Sequence, residues 1–174
     1  MHHLHIRDAR DTDREAIRAV TLSAYEEYAA AVSPQFMDDY RRGMLATLDE
    51  EGPAERIVAE RDGTIVGSVL LIPAGAAIRT PAGLVRLDWP EVRLLAVAPA
   101  ARSQGVGAAL MEACVRRARQ SGAAVLTLHT TDIMRTAMQL YERMGFVHAP
   151  ELDFSPGEDI IVKGYRLNLA DTAS

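Results

Sequence analysis

The chain has 174 residues, 48% of them apolar and 25% charged, a length and balance that suit one globular domain with a substantial core and exclude a disordered protein. A formal net charge of -5 without a basic face argues against a nucleic-acid binder. The lone cysteine, Cys114, allows no internal disulfide, no stretch reaches ~18 apolar residues, and residues 1–8 lack a signal-peptide run, so a cytoplasmic protein without a membrane span is expected.

Residues 4–7 read as a short first strand. Thr12 and Glu15 have the spacing of a capping box, and the helix they open sets Ile17, Val20, Ala24 and Tyr28 on one stripe. A second amphipathic helix, residues 36–48, carries Phe36, Tyr40, Met44 and Leu48 before Gly52-Pro53 breaks the chain. Residues 56–59 and 64–72 are β-branched runs around Asp62-Gly63, a hairpin signal because glycine tolerates positive φ in the tight turn. Residues 73–90, rich in Gly, Pro and Ala, are expected to run irregularly beside the sheet, and residues 91–97 form the next strand.

Residues 105–120 form a helix with Gly107, Leu110, Met111, Cys114 and Ala118 on its buried stripe, stopped by Ser121-Gly122. Cys114 therefore reads as core, and Arg116, Arg117 and Arg119 as a solvated face. Residues 125–129 form a strand parallel to residues 91–97, since a helix connects them. A helix over residues 133–144 aligns Met134, Ala137, Met138 and Tyr141 and stops at Gly145; strands from Phe146 and over residues 160–169 complete the sheet. The order β-α-α-β-β-β-α-β-α-β-β defines an α/β (α+β) fold with a mixed sheet. No repeat or linker divides it, so residues 1–174 are expected to be one domain.

The informative segment runs from Val92 through Arg102, Gly105 and Gly107 to Leu110: a strand, a short loop, a helix. Such a loop is an anion site, because the first helical N–H groups lack internal partners and the helix dipole favours negative charge. Glycines let the backbone approach a diphosphate, and Arg102 adds a permanent positive charge. The Lys-Ser/Thr of a P-loop and the full three-glycine dinucleotide fingerprint are both absent, so spacing alone leaves the phosphate's owner open.

Arg102-Ser103-Gln104-Gly105-Val106-Gly107 resembles the acetyl-CoA pyrophosphate motif of the GNAT N-acetyltransferase superfamily, Gln/Arg-x-x-Gly-x-Gly/Ala. Residues 94–99 are similar to that family's central strand, and Ala137 to Phe146, with Leu140-Tyr141 and Gly145, resembles its second signature. The resemblance spans residues 6–169. It implies a mixed, mostly antiparallel sheet of about seven strands flanked by about four helices, with splayed central strands and coenzyme A wedged between them. It implies that the backbone of Arg102, Ser103, Gln104, Gly105, Val106, Gly107 and Ala108 holds the pyrophosphate. The strand residues Leu95, Ala96 and Val97 would pair with the pantetheine as an added strand does, a bulge aiming one N–H at the thioester carbonyl. Many members carry Asn where this chain has Met134, so only backbone contact to the coenzyme is expected there.

Acyl transfer to an amine needs a neutral nitrogen, a polarised thioester and a proton for the thiolate. An aliphatic ammonium (pKa ~10.4) must lose a proton near neutrality. Glu91, opening the central strand, is the proposed base, against the alternative of an exposed strand-start carboxylate; His129, at the end of the next strand, is its rival. Tyr141 stands where the family places a tyrosine that protonates the thiolate, and it also serves as a core aromatic. No Cys/His cluster has zinc spacing and no acidic pattern matches a calcium loop, so no metal is expected.

The expected activity is transfer of acetyl from acetyl-CoA to a primary amine, of a small molecule or a peptide, in a ternary complex. An inactive acyl-CoA-binding regulatory module is the alternative, and a nucleotide-binding protein of another fold a third, which the signature around Tyr141 opposes. The acceptor surface is expected from residues 24–40 and 149–163, where Tyr25, Glu26, Tyr28 and Asp38 suit a cation and residues 151–159 make a mobile acidic loop. A homodimer is common among proteins of this resemblance.

Overall fold

The computed structural model describes residues 3–80, 83–157 and 159–170. They fall into two compact units, one of residues 3–70 with 94–113 and the other of the described residues within 71–93 and 114–170.

The first unit opens with β1 (Leu4–Asp8), a 3-10 turn at Asp11–Asp13, and α1 (Arg14–Tyr25). The cap differs from the Thr12–Glu15 box expected. Asp13 stands at the N-cap of α1 without a side-chain cap bond; its carboxylate instead accepts the Arg10 amide at 2.7 Å and pairs with Arg7 at 2.7 Å. Arg7 also reaches Glu60 at 2.5 Å, which ties β1 to the adjoining strand. A second 3-10 segment, Glu26–Ala31, leads to α2 (Pro34–Asp49). Ser33 accepts from the Phe36 amide and Pro34 supplies a first-turn residue with preset φ, two reasons for the helix to start there. Its buried residues are Met37, Met44 and Leu48; Phe36 and Tyr40, placed on that stripe from spacing, are half-buried.

Strands β2 (Glu55–Arg61) and β3 (Thr64–Ile72) follow as the expected hairpin, with Asp62 at φ 52° and Gly63 at φ 77°. Ile17, Leu48, Val58 and Leu70 form a core cluster against which Leu45, Ile65 and Leu94 pack. The strand order in this unit is β1-β2-β3-β6.

Two short strands of the second unit precede that last element. Residues 73–90, expected to be irregular, contain β4 (Ala77–Thr80) and β5 (Gly83–Arg86), a two-stranded antiparallel ribbon. Both strands are largely exposed, so no apolar alternation marks them in the sequence; Pro81 and Ala82 lie outside the described residues. Strand β6 (Glu91–Val97) begins in this unit and ends in the first, as does α3 (Val106–Gln120) in the reverse sense. Val106, rather than the expected Gly107, joins Leu110, Met111, Cys114 and Ala118 among the buried residues of α3.

Strand β7 (Val125–Thr131) pairs in parallel with β6, as the crossover predicted, but only at Glu91↔Thr127 and Val92↔Leu128. Helix α4 (Arg135–Arg143) starts two residues later than expected, with Met134 as its cap. Strand β8 (Val147–His148) and a 3-10 turn at Pro150–Leu152 precede β9 (Phe154–Gly157) and β10 (Ile160–Asn168). Residues 151–159, anticipated as a loop, thus include a strand paired with β10, while Glu158 lies outside the described residues. The order is β6-β7-β10-β8, with β9 also on β10; β10 is antiparallel to all three partners. Ten strands and four helices among the described residues make a mixed α/β fold with mostly antiparallel pairing. No helix among them is long and apolar enough to cross a membrane.

Candidate active site

In the first unit, β6 and α3 are joined by a turn at Pro99–Ala101 and the loop 102–105. Ser103 (φ 61°) and Gly105 (φ 81°) both adopt the left-handed region, which turns successive backbone groups into a concavity ahead of the α3 N-terminus. A glycine suits position 105 because any side chain there is strained. Ser103, Gln104 and Gly105 are exposed, and Gly107 and Ala108 half-buried. The Val106 side chain is 1% exposed, so only its backbone is available to a ligand.

Arg102, expected at the phosphate, is engaged elsewhere. Its guanidinium donates to Glu27 at 2.6 Å and to the Ala24 carbonyl at 3.0 Å, and so ties the end of α1 to the loop. Gln104 is held by Arg61 and donates to the Ala100 carbonyl at 3.2 Å.

Leu94, in mid-strand, sits at φ 52°. A bulky residue in that region costs ~1–2 kcal/mol; the backbone conformation is of the kind found at bulges, where the chain is re-aimed. Its packing on the Ile17, Leu48, Val58 and Leu70 cluster is what holds it there. The irregularity immediately precedes the Leu95–Val97 segment along which the bulge was expected. Beyond Leu94, the Leu95 carbonyl accepts the Tyr25 hydroxyl at 3.0 Å, Ala96 is buried, and Leu95 and Val97 are half-buried. The Ala98 amide donates to Val66 at 2.8 Å.

In the second unit, the two rival bases meet. His129 Nδ1 lies 2.6 Å from Glu91 Oε1, and Nε2 lies 3.1 Å from the Leu152 carbonyl. Glu91 is 2% exposed, so the reading of an exposed strand-start carboxylate is excluded. Its Oε2 is buried and accepts no hydrogen bond among the described residues; Arg93 Nε stands 3.9 Å away. Burial of the imidazole opposes its charge, but the hydrogen bond and charge of Glu91 outweigh it, and the His129 pKa is raised. The Phe154 ring packs edge-on, 5.5 Å between centroids.

Tyr141 is 6% exposed on α4, with its ring centroid 5.9 Å from Phe146, and its carbonyl accepts from the Phe146 amide at 3.0 Å. The signature residues thus form one packed corner at the helix stop. Met134 donates from its amide to the Thr131 carbonyl at 2.9 Å and is half-buried. Cys114 is fully buried, in keeping with a core role. A cavity of about 360 Å³ in the first unit, lined by Arg10, Arg14, Arg18 and Arg56 among others, contains none of the expected residues. No cluster of three or more His, Cys, Asp or Glu among the described residues has metal-site geometry.

Sequence reasoning named Glu91 and His129 separately but missed their pairing, the Leu152 carbonyl, and the Tyr25 and Glu27 contacts, all of which join residues far apart in the chain.

Comparison with known proteins bears on this geometry. The profile of the Acetyltransferase (GNAT) family matches residues 18–146. The chain is 29% identical over 143 residues to the uncharacterized N-acetyltransferase YhfO of Bacillus subtilis, covering 82% of this chain and 89% of that protein. It is 31% identical over 140 residues to mycothiol acetyltransferase of Acidothermus cellulolyticus, covering 78% of this chain but only 42% of that protein. The fold is shared with the PaiA N-acetyltransferase of Thermoplasma acidophilum, solved in complex with coenzyme A, at a TM-score of 0.70 and 14% identity over 95% of this chain and 99% of that one.

Proposed function

The chain belongs to the GNAT acetyltransferase family, and from that premise we propose that it moves the acetyl group of acetyl-CoA directly onto a primary amine, within one domain spanning the chain. The observation that carries the coenzyme assignment is the 102–108 loop, whose two left-handed residues open a backbone concavity at a helix start. Arg102, Ser103, Gln104, Gly105, Val106, Gly107 and Ala108 hold the pyrophosphate, chiefly through N–H groups. Leu95, Ala96 and Val97 align the pantetheine, and Met134 contributes backbone.

The acid–base roles fall to the second unit. Glu91 Oε2, buried and without a hydrogen-bond partner among the described residues, takes a proton from the acceptor ammonium through one water. The neutral nitrogen attacks the thioester carbon, and the tetrahedral oxyanion is met by a strand N–H. The C–S bond then breaks, the Tyr141 hydroxyl protonates the departing thiolate, and the second proton of the attacking nitrogen passes through water to the tyrosinate, which restores it. The product is an acetamide plus free coenzyme A, with no metal required.

The acceptor side lies in residues 24–40 and 149–163. Tyr25, Tyr28, Phe36 and Tyr40 make ring contacts there, with centroids 5.8–6.3 Å apart, and Arg41 bridges the nearby Glu26 and Asp38. Such a surface suits a cationic amine, either a small molecule or a peptide N-terminus, and not a nucleic acid. The protein is placed in the cytoplasm, and a homodimer, common in the family, is the assembly to test.

The test is a panel of amino acids, polyamines, amine-bearing antibiotics and peptides, followed by thiol release from acetyl-CoA and product mass. Stoichiometric acetylation of one class supports transfer. Coenzyme binding with no thiol release across the panel favours the binding-module alternative.

A further inference from the structure

The imidazole of His129 faces acceptors on both sides. Leu152 offers a backbone carbonyl, which can only accept, so Nε2 must carry hydrogen. Glu91 Oε1, 2.6 Å from Nδ1, is a carboxylate oxygen in a site where Glu91 is 3% exposed at its side chain and His129 28%. With Glu91 ionised, a ring flanked this way satisfies both neighbours only when both nitrogens donate, that is, as the imidazolium. The negative partner is then Glu91, and the pair is charge-balanced in a buried place where an isolated charge would be costly.

The neighbourhood holds this arrangement from several elements. From β6, Glu91 attracts the ring's charge and Arg93 opposes it. From β9, the Phe154 ring packs edge-on. Gly164 stands opposite His129 in the β10–β7 register, and its neighbour Lys163 is paired with Asp132 at 2.8 Å. The Pro150–Leu152 turn lies directly on Gly164: a Cβ there would meet Leu152 Cβ at 2.2 Å. Asp153 fastens the turn by accepting from the Gly164 amide at 2.8 Å and bonding His148. Gly164 therefore lets the turn come down on the sheet, which brings the Leu152 carbonyl to His129.

We propose that His129 is a positioning residue rather than the base: as the imidazolium it clamps Glu91 Oε1 and the Leu152 carbonyl, leaving Glu91 Oε2 as the one oxygen able to take the acceptor's proton. This rests on Glu91 being the base of the reaction proposed above. It turns two rival bases into one device with divided roles, and it ties the carboxylate's orientation to the 150–152 turn. The raised pKa of His129 agrees with the clamp, since both of its contacts favour the protonated ring.

The experiment is nitrogen–proton NMR of the histidine rings across a pH titration of the full chain, with Glu91→Gln beside the wild type. At about pH 7 the wild-type His129 ring should carry both protons, when an ordinary histidine (pKa ~6.5) is mostly neutral. In Glu91→Gln the titration should fall to or below the ordinary range, because burial then acts without the carboxylate. A wild-type ring that is singly protonated at that pH, or a titration that Glu91→Gln does not move, overturns the clamp.

The kinetic counterpart uses the amine that the panel identifies. His129→Gln should lower kcat about ten-fold or more, with KM for acetyl-CoA within about two-fold, and its pH profile should lose the limb that follows His129. If Glu91→Gln is crippled and His129→Gln is not, the positioning role alone falls. If Glu91→Gln turns over normally, the base assignment falls and takes the positioning role with it.

Discussion

Gly164→Ala is a one-carbon change whose effect can be worked from the geometry. The new Cβ would lie 2.2 Å from Leu152 Cβ, 3.2 Å from its Cα and 3.3 Å from its carbonyl carbon. Two of those three atoms are backbone, so no rotamer change relieves the overlap and the Pro150–Leu152 turn must lift by more than ~1 Å from ordinary contact. Overpacking of this kind costs about 1–3 kcal/mol. The displacement also loosens the Ala149 amide to Gly164 carbonyl bond and the Gly164 amide to Asp153 bond, both 2.8 Å. Each is worth about 1 kcal/mol or somewhat more where a carboxylate accepts. The sum is about 3–5 kcal/mol, which for a chain of this length lowers Tm by about 6–20 °C. Thermal melts followed by circular dichroism measure it. Gly43→Ala is the control of opposite sign: it lies exposed inside α2 with nothing within 4 Å of its would-be Cβ. It should stabilise by about 0.5–1 kcal/mol. If Gly164→Ala melts within about 1 °C of the wild type, the close seating of the turn on β10 is wrong, and with it the route by which Leu152 reaches His129.

Tyr141→Phe should cut turnover about ten-fold or more while leaving acetyl-CoA affinity unchanged; equal turnover with chemistry rate-limiting removes the acid role. The Arg7 hydrogen bonds to Asp13 and Glu60 hold both carboxyls below their usual range. Carboxyls with depressed native pKa values contribute stability above the ordinary carboxylate range of ~4 that is lost as pH falls through their native values. Arg7→Met should therefore lower Tm at neutral pH, with the gap to wild type closing toward acid; a gap independent of pH contradicts the network. His129 has the opposite sign. Its raised pKa contributes stability that is fully present below ~6.5 and fades as pH rises through the native value, so Glu91→Gln should be most destabilising on the acid side of neutrality.

Much of the fold was legible because local patterns carried it. The Asp62-Gly63 turn, the crossover from β6 through α3 to β7, and the Gly145 stop each rest on a few adjacent residues with a period or a φ requirement. The β4–β5 ribbon and β9 were not legible, because strands exposed on both faces show no apolar alternation. The α1 start was misplaced by one residue because the Asp13 carboxylate is drawn to Arg7 on a separate strand and to the Arg10 amide, tertiary and turn contacts that no capping motif contains. The same limit applied at the site. The loop around Gly105 and the carboxylate of Glu91 could be named from sequence, whereas the Glu91–His129 pair spans 38 residues and needs the β6–β7 register. The resemblance implied a bulge along Leu95 to Val97, and the left-handed residue of β6 is Leu94, next to that segment.

The central claim is that the 102–108 loop holds the pyrophosphate of acetyl-CoA. The most direct test is calorimetric titration with acetyl-CoA on the wild type and on Gly107→Trp, whose bulk fills the loop, with the variant shown to be folded. The account predicts one-to-one micromolar binding that the substitution abolishes. Equal affinity in both proteins, or no binding by the wild type, would contradict it.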